Sequence, residues 1–151
     1  MIPKLHFLIV DDLPSMRGII VRTLRELDYT KFSEAEDGKK ALQLLRSTGL
    51  QAPIDFVITD WDMPNTNGLS LIKTIRSDKK FNHLPVLIIA AEAKKENIIA
   101  AMNAGADGFI VKPFAAVTLD TKIDAILVKR EPLLSEKQPN SETQHMASYS
   151  P

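Results

Sequence analysis

The chain has 151 residues, of which 44% are hydrophobic and 25% are charged, a composition typical of one globular domain. Its 19 basic and 19 acidic residues balance, so the overall charge gives no electrostatic reason to expect nucleic acid or an anionic membrane as a partner. The absence of cysteine excludes disulfide bonds and thiolate metal sites. The N-terminus lacks the regions of a signal peptide, and no apolar run approaches the ~20 residues of a membrane span. The sequence therefore predicts a soluble, cytoplasmic protein.

Five stretches that are apolar, or that alternate polar and apolar residues, are each followed by an amphipathic stretch. This is the order expected of β-strands followed by α-helices. The strands are predicted at residues 6–10, 31–35, 56–60, 86–90 and 108–111. The second strand alternates polar and apolar residues, so it is predicted to lie at an edge of the sheet. The helices are predicted at residues 14–27, 39–46 with Gly49 as the stop, 69–75, 92–104 with Gly105 as the stop, and 117–128. This alternation predicts an α/β fold whose parallel sheet is covered by helices on both faces, with right-handed crossovers.

The composition changes at Arg130. From there the chain is rich in Ser, Pro, Gln and Asn, without sustained periodicity. We therefore divide the chain into a folded domain, residues 1–129, and a flexible C-terminal tail or linker, residues 130–151. Because this tail is shorter than an output domain, we expect no DNA-binding helix-turn-helix after the folded domain.

Charged residues follow three of the predicted strands. The first strand runs into Asp11 and Asp12, the third ends at Asp60, and the fifth is followed by Lys112. Neighbouring parallel strands bring their carboxyl ends to one edge of a sheet, where open α/β sheets bind their ligands. These four side chains are therefore predicted to converge.

The chemistry of such a cluster is restricted. Three carboxylates close together repel one another unless cations are present, and a small cluster of oxygen ligands suits Mg²⁺ better than a caged Ca²⁺. With Mg²⁺ and Lys112 the formal charges cancel, and such a site can accept a phosphoryl group on a carboxylate nucleophile. Asp60 is predicted to be the nucleophile because Asp11 and Asp12 form a pair suited to holding metal.

These motifs, in this order, resemble the response-regulator receiver family, and within it most closely the single-domain chemotaxis (CheY-like) regulators. The resemblance extends from about Leu5 to Val128. It rests on Asp11-Asp12, Asp60-Trp61-Asp62-Met63-Pro64, Ala91-Glu92-Ala93-Lys94-Lys95-Glu96 and Lys112-Pro113-Phe114. It implies a flavodoxin-like, doubly wound sheet of five parallel strands in the order 2-1-3-4-5 with five helices, an order already known for the chemotaxis regulators.

The resemblance also implies a function in two-component signal transduction. Asp60 would take a phosphoryl group from a histidine kinase, with Mg²⁺ as cofactor. The metal ligands would be Asp12, Asp60 and the backbone carbonyl of Asp62, with Asp11 acting through water, and Lys112 would pair with the phosphoryl oxygens. The chain would be a regulatory domain, with at most weak self-phosphorylation and autodephosphorylation, rather than an enzyme.

The resemblance implies that the domain signals through protein–protein contacts made by the fourth helix, fifth strand and fifth helix. The implied downstream target is a protein, with the flagellar motor switch as the candidate in a chemotaxis pathway, and the implied oligomeric state is a monomer or a weak dimer. We call the corresponding residues the partner face: Lys94, Lys95, Ile98, Phe109 and Lys122. The family further implies a cis peptide bond between Lys112 and Pro113.

Two switch positions depart from the family pattern. The Ser or Thr that normally ends the fourth strand is Ala90 here, and Ala91 offers no substitute. The aromatic switch residue is Phe109, where the motor regulator has Tyr. Losing a hydrogen bond to a charged acceptor costs about 1.5–3 kcal/mol, the size of a typical allosteric coupling. We therefore expect chemistry at Asp60 to survive while signalling weakens, and the small Ala90 to leave room for an inward Phe109 without phosphate.

Two alternatives remain open. The first is a phosphate sink, or an atypical receiver whose output is independent of phosphorylation because of Ala90. The second is a haloacid-dehalogenase-like phosphatase, which also uses an aspartate nucleophile and Mg²⁺. Asp60-Trp61-Asp62 has the spacing of its Asp-x-Asp motif, but on the third predicted strand instead of the first.

Overall fold

The computed structural model describes residues 4–47, 53–64 and 67–136, with side chains to residue 130. In this part of the chain five strands alternate with five helices. In chain order they are β1 (His6–Val10), α1 (Pro14–Glu26), β2 (Lys31–Ala35), α2 (Gly38–Arg46), β3 (Phe56–Asp60), α3 (Gly68–Ser77), β4 (Val86–Ala90), α4 (Lys95–Ala104), β5 (Gly108–Val111) and α5 (Ala116–Glu136). No helix within these ranges is both long and apolar enough to cross a membrane. The predicted helix stop at Gly49 lies outside the described residues.

The sheet is parallel throughout, and its strands lie in the order β2-β1-β3-β4-β5. This confirms the predicted fold and the edge position of β2. Every residue of β1, β3 and β4 is buried, because helices cover both faces of the sheet. A strand that is buried on both faces has no polar side, which explains why these three segments are nearly continuous apolar runs, interrupted only by His6, Thr59 and Asp60.

Two hydrophobic clusters cover the two faces. On one face α3 and α4 pack against the sheet through residues such as Leu71, Ile75 and Ala101. On the other face α1 and α5 pack through residues such as Ile20 and Ile123. Helices thus cover both faces of the sheet, and the candidate site lies at the carboxyl ends of its strands.

The helix ends explain where the connecting loops begin. Asp37 caps α2 by accepting a hydrogen bond from the Lys40 amide, and Asn67 caps α3 in the same way. α4 begins at Lys95 and not at residue 92 as predicted, because residues 91–96 are all exposed and offer no apolar face before Ile98. Gly105 ends α4 with φ of 112°, a left-handed conformation that favours glycine.

The fifth helix is longer than predicted: it continues through Glu136 and does not end at residue 128. Arg130, which the sequence analysis placed in the tail, has a buried side chain that donates from Nε to Asp107 Oδ1 at 2.7 Å. Local composition could not reveal this partner, which is 23 residues away in the chain. Arg130 therefore packs with the folded domain, while residues 137–151 of the predicted tail lie outside the described part of the chain.

Candidate functional site

Three carboxylates meet at the carboxyl edge of the sheet, as predicted. The register of the neighbouring strands β1 and β3 pairs Val10 with Thr59, so the next residues, Asp11 and Asp60, lie side by side. One carboxylate oxygen from each of Asp11, Asp12 and Asp60 lies within 4.8 Å of the others. Asp11 is 1% exposed and Asp60 is 7% exposed, whereas Asp12 is exposed. The cluster thus has a buried floor and one open side.

Lys112 supplies the cation of this cluster. Its Nζ lies 3.4 Å from Asp11 Oδ2 and 3.3 Å from Asp60 Oδ1, and its side chain is mostly buried. Its backbone amide donates to the Ala90 carbonyl at 2.8 Å, which continues the pairing of β5 with β4. The peptide bond to Pro113 is cis, as the resemblance implied. One ammonium group therefore faces two buried carboxylates.

The loops after β1 and β3 fix the two buried carboxylates. Asp11 Oδ1 accepts from the Leu13 amide at 3.0 Å, and Asp60 Oδ1 accepts from the Trp61 amide at 2.9 Å. Each carboxylate is thus held by a backbone donor a short distance along its own loop. Such contacts orient an oxygen without using a second side chain, so they leave room for a ligand at the open side.

Arg17 is a contributor that the sequence analysis missed. Its Nη1 donates to the Asp11 carbonyl at 2.6 Å, and its Nε pairs with Glu34 at 2.9 Å. In the sequence it is one of several arginines on the polar side of a helix, and no local pattern distinguishes it from the others. It ties α1 and β2 to the loop that carries the acid pair.

Burial raises the pKa of Asp60, and the nearby Asp11 charge raises it further. The Lys112 ammonium and the Trp61 amide act in the opposite direction but do not reverse the shift. The carboxylate pair is therefore electrostatically strained when no further cation is present.

This strain predicts a pH-dependent effect of Asp60→Asn on the metal-free protein. Since the folded state has the raised pKa, it binds the Asp60 proton more tightly than the unfolded chain does. The free energy of unfolding therefore falls as pH rises from about 4 through the raised pKa. Asparagine cannot ionise, so in EDTA the variant should gain stability over the parent as pH rises through this window. Urea unfolding of both proteins over a pH series measures the difference. The exposed Asp28→Asn serves as the control, and a pH-independent difference for Asp60→Asn would contradict the prediction.

Gly68 fixes the loop that carries Trp61 against the end of β3. Its amide donates to the Trp61 carbonyl at 2.8 Å. A Cβ at this position would lie 2.6 Å from the Asp60 carbonyl oxygen and 3.1 Å from the Trp61 Cα. Both of these are backbone atoms, which cannot move away as a flexible side chain could. Only glycine therefore allows α3 to begin this close to the site.

We expect Gly68→Ala to destabilise the protein by about 1–3 kcal/mol, the usual cost of overpacking, and to weaken metal binding because the Asp60 backbone must shift. Gly18→Ala is the matched control: no atom lies within 4 Å of its added Cβ, and alanine in an exposed helix interior stabilises by up to about 1 kcal/mol. Urea unfolding and Mg²⁺ titration followed by fluorescence measure both effects. Equal stability changes in the two variants would show that the close approach has no energetic importance.

The predicted switch and partner residues differ in their exposure. The three lysines of the partner face are exposed, and Ile98 and Phe109 are partly buried. The ring centroid of Phe109 lies 6.4 Å from that of Trp61. Ala90 is buried and Asp62 is exposed. The partner-face residues come from α4, β5 and α5, except Lys94, which was predicted within the fourth helix but lies just before α4; their role as a partner face stays a prediction.

A second charged cluster, which the sequence analysis did not predict, lies at the opposite edge of the sheet. Asp107 accepts from Arg130 Nε at 2.7 Å, from Arg76 Nη2 at 3.0 Å and from the Val86 amide at 2.8 Å. Arg76 also donates twice to the Gly105 carbonyl, at 3.0 and 2.9 Å. Burial and the nearby Arg130 charge lower the pKa of Arg76, although Asp107 opposes this. The cluster joins α3, β4, β5 and α5, so its role is structural.

Comparison with known proteins agrees with this geometry. The family model described as the response regulator receiver domain matches residues 7–124. The chain belongs to this family. It is 49% identical over 123 residues to the chemotaxis protein CheY-3 of Vibrio cholerae serotype O1, covering 82% of this chain and 92% of the relative. It is 46% identical over 122 residues to the chemotaxis protein CheY of Pseudomonas aeruginosa, covering 81% and 95%.

Solved structures confirm the fold of this receiver. The Vibrio cholerae chemotaxis protein CheY4 superposes with a TM-score of 0.74 at 30% identity, covering 83% of this chain and all of that one. A response regulator receiver domain from Clostridium thermocellum superposes with a TM-score of 0.73 at 28% identity, covering 85% and 98%. The predicted membership and the predicted similarity to CheY-like regulators are confirmed. The receiver is thus a regulatory domain of the two-component type.

Proposed function

We propose that this receiver is switched by transfer of a phosphoryl group to Asp60. The observation that carries the proposal is the meeting of Asp11, Asp12 and Asp60 within 4.8 Å, with Lys112 beside two of them. A buried carboxylate between another acid and an ammonium is a nucleophile whose charge must be neutralised before an anionic donor can approach. The geometry supplies one of the neutralising cations and ligands for a second.

The donor set fits Mg²⁺. Hard carboxylate oxygens on one open side suit an ion that keeps several waters and takes only one or two protein carboxylates. Asp12, Asp60 and the backbone carbonyl of Asp62 would hold the ion, and Asp11 would act through water. When bound, Mg²⁺ supplies positive charge that neutralises the phosphoryl oxygens.

The residues of the chain have separate tasks in the transfer. A carboxylate oxygen of Asp60 attacks phosphorus and forms an acyl phosphate, while the bond from phosphorus to the donor nitrogen of a phosphohistidine breaks. The electron pair of that bond leaves with the imidazole, which takes up a proton. Lys112, whose Nζ lies 3.3 Å from Asp60 Oδ1, would pair with the transferred oxygens, and the Trp61 amide would orient Asp60.

We infer that a histidine kinase is the donor and that the output is a protein bound at the partner face. The two chemotaxis relatives make a chemotaxis pathway the first choice, with the flagellar motor switch as its target. Nothing in the comparisons favours the phosphate-sink or phosphorylation-independent alternative. The phosphatase alternative has no support, since Asp60 ends β3 and the family match is to receivers. Cytoplasmic location and a monomeric or weakly dimeric state stay predictions.

Fluorescence of Trp61, the only tryptophan of the chain, provides the test. Mg²⁺ and then beryllofluoride, a phosphoryl mimic, are titrated into the parent, Asp60→Asn and the exposed control Asp28→Asn. We expect both ligands to change the emission of the parent and of the control, and the mimic response to disappear in Asp60→Asn. A parent that responds to neither ligand would refute the proposal.

A further inference from the structure

The rings of Trp61 and Phe109 meet across a strand. Trp61 follows β3 and Phe109 lies in β5, and β4 separates the two strands. Strands two places apart in a sheet are separated by about 10 Å, yet the ring centroids are 6.4 Å apart with an interplanar angle of 52°. Both rings pack against the hydrophobic cluster that contains Ala90. The two side chains therefore lean toward each other over β4.

The register explains why they can meet. It pairs Thr59 with Ile88 and Ile88 with Phe109, so these three residues form a row on one face of the sheet. Side chains alternate along strands, so Trp61 and Ala90, each two residues further on, belong to the same face. Ala90 contributes only a methyl group to this face. A cavity of about 110 Å³ beside it is lined in part by Trp61 and Ala90.

Trp61 is also tied directly to the acceptor. Its amide donates to Asp60 Oδ1 at 2.9 Å and to the Ile89 carbonyl at 3.2 Å, and its carbonyl accepts from Gly68 at 2.8 Å. Any group added to Asp60 changes the charge on the oxygen that the Trp61 amide contacts. The residue that donates this hydrogen bond is also the one whose ring centroid lies 6.4 Å from that of Phe109.

We propose that the Trp61 ring is a positioning residue that transmits the state of Asp60 to Phe109, replacing the hydroxyl that Ala90 lacks. The inference rests on the proposed function, because it requires a group on Asp60. In this inference the Trp61 ring couples Asp60 to Phe109, whereas the Trp61 backbone amide belongs to the acceptor site. The direct consequence is that removing the ring should separate phosphorylation from the response of the partner face.

Fluorine NMR reports the occupancy of the acceptor site and the response of Phe109 in one spectrum. The parent carries 4-fluorophenylalanine at position 109, and bound beryllofluoride gives its own fluorine resonance at the acceptor site. We compare the parent with Trp61→Leu, which keeps the backbone amide and removes the ring. Met63→Leu is the matched control, since Met63 lies in the same loop and packs against the same cluster. In the parent and in Met63→Leu, beryllofluoride should shift the label at position 109.

The expected result for Trp61→Leu is a bound-beryllofluoride resonance together with a label that moves several-fold less than in the parent. Adding Ala90→Thr to this variant restores a hydroxyl at the family position and should restore the movement. A label that moves in Trp61→Leu as it does in the parent would overturn the inference. So would loss of the bound resonance in Trp61→Leu alone, since the ring would then belong to the acceptor site. Absence of that resonance in the parent would instead contradict the proposed function.

Discussion

Replacing Lys112 with alanine should slow phosphorylation of Asp60 by at least about 100-fold. The Nζ atom lies 3.3 Å from Asp60 and 3.4 Å from Asp11, and loss of one preorganised group that stabilises transition-state charge typically costs 10²–10³ in rate. Mg²⁺ binding should persist and tighten, since the carboxylates remain and a competing cation is removed. Phosphorylation by acetyl phosphate followed by intact mass, with a Mg²⁺ titration of Trp61 fluorescence, separates these two effects.

Lys95→Ala is the matched control for Lys112→Ala. It removes the same charged group from an exposed position at the start of α4, outside the acid cluster. Its phosphorylation rate should equal that of the parent. A Lys112→Ala protein that is phosphorylated as fast as the parent would mean that the ammonium takes no part in the transfer.

Replacing Asp107 with alanine should reduce the free energy of unfolding by about 3–5 kcal/mol, the usual cost of breaking a buried charge cluster by removing one partner. The substitution leaves Arg76 and Arg130, whose side chains are 17% and 11% exposed, without the carboxylate that both contact. It also removes the acceptor of the Val86 amide at the start of β4. Urea unfolding of the metal-free protein measures the loss.

The control for Asp107→Ala is Glu92→Ala. Glu92 pairs with Lys94 at 3.5 Å, with side chains 67% and 56% exposed, and such exposed pairs contribute no more than about 1 kcal/mol. If Asp107→Ala destabilises as little as this control, the cluster contributes no more to stability than an exposed ion pair does. The prediction bears on stability only, because the cluster lies at the edge opposite Asp60.

The strands and the acid cluster could be predicted because their signals are local. β1, β3 and β4 are each five residues long and mostly apolar, and the alternation of strands with helices restricts the possible topologies. Asp60 could be predicted because it is the carboxylate that ends the apolar run of β3. Parallel pairing then brings Asp11, Asp12 and Lys112 to the same edge without further information. The order and spacing of these motifs were enough to identify the family.

Contacts between distant parts of the chain could not be predicted in this way. Arg130 lies in a segment that reads as a polar tail, and its burial depends on Asp107, which only the fold brings close. Arg17 reads as one more charge on a helix surface, yet it donates to the Asp11 carbonyl. The packing of Trp61 near Phe109 depends on the strand order, which places β3 and β5 on either side of β4. None of these three contacts can be recognised before the strand order and register of the sheet are known.

The central claim is that Asp60 is the phosphoryl acceptor, and chemical trapping tests it most directly. The protein is incubated with acetyl phosphate and Mg²⁺, the acyl phosphate is reduced with borohydride to homoserine, and the modified position is read by peptide mass spectrometry. We predict homoserine at position 60, dependent on Mg²⁺. Modification at another acidic residue, or none in the presence of Mg²⁺, would contradict the account.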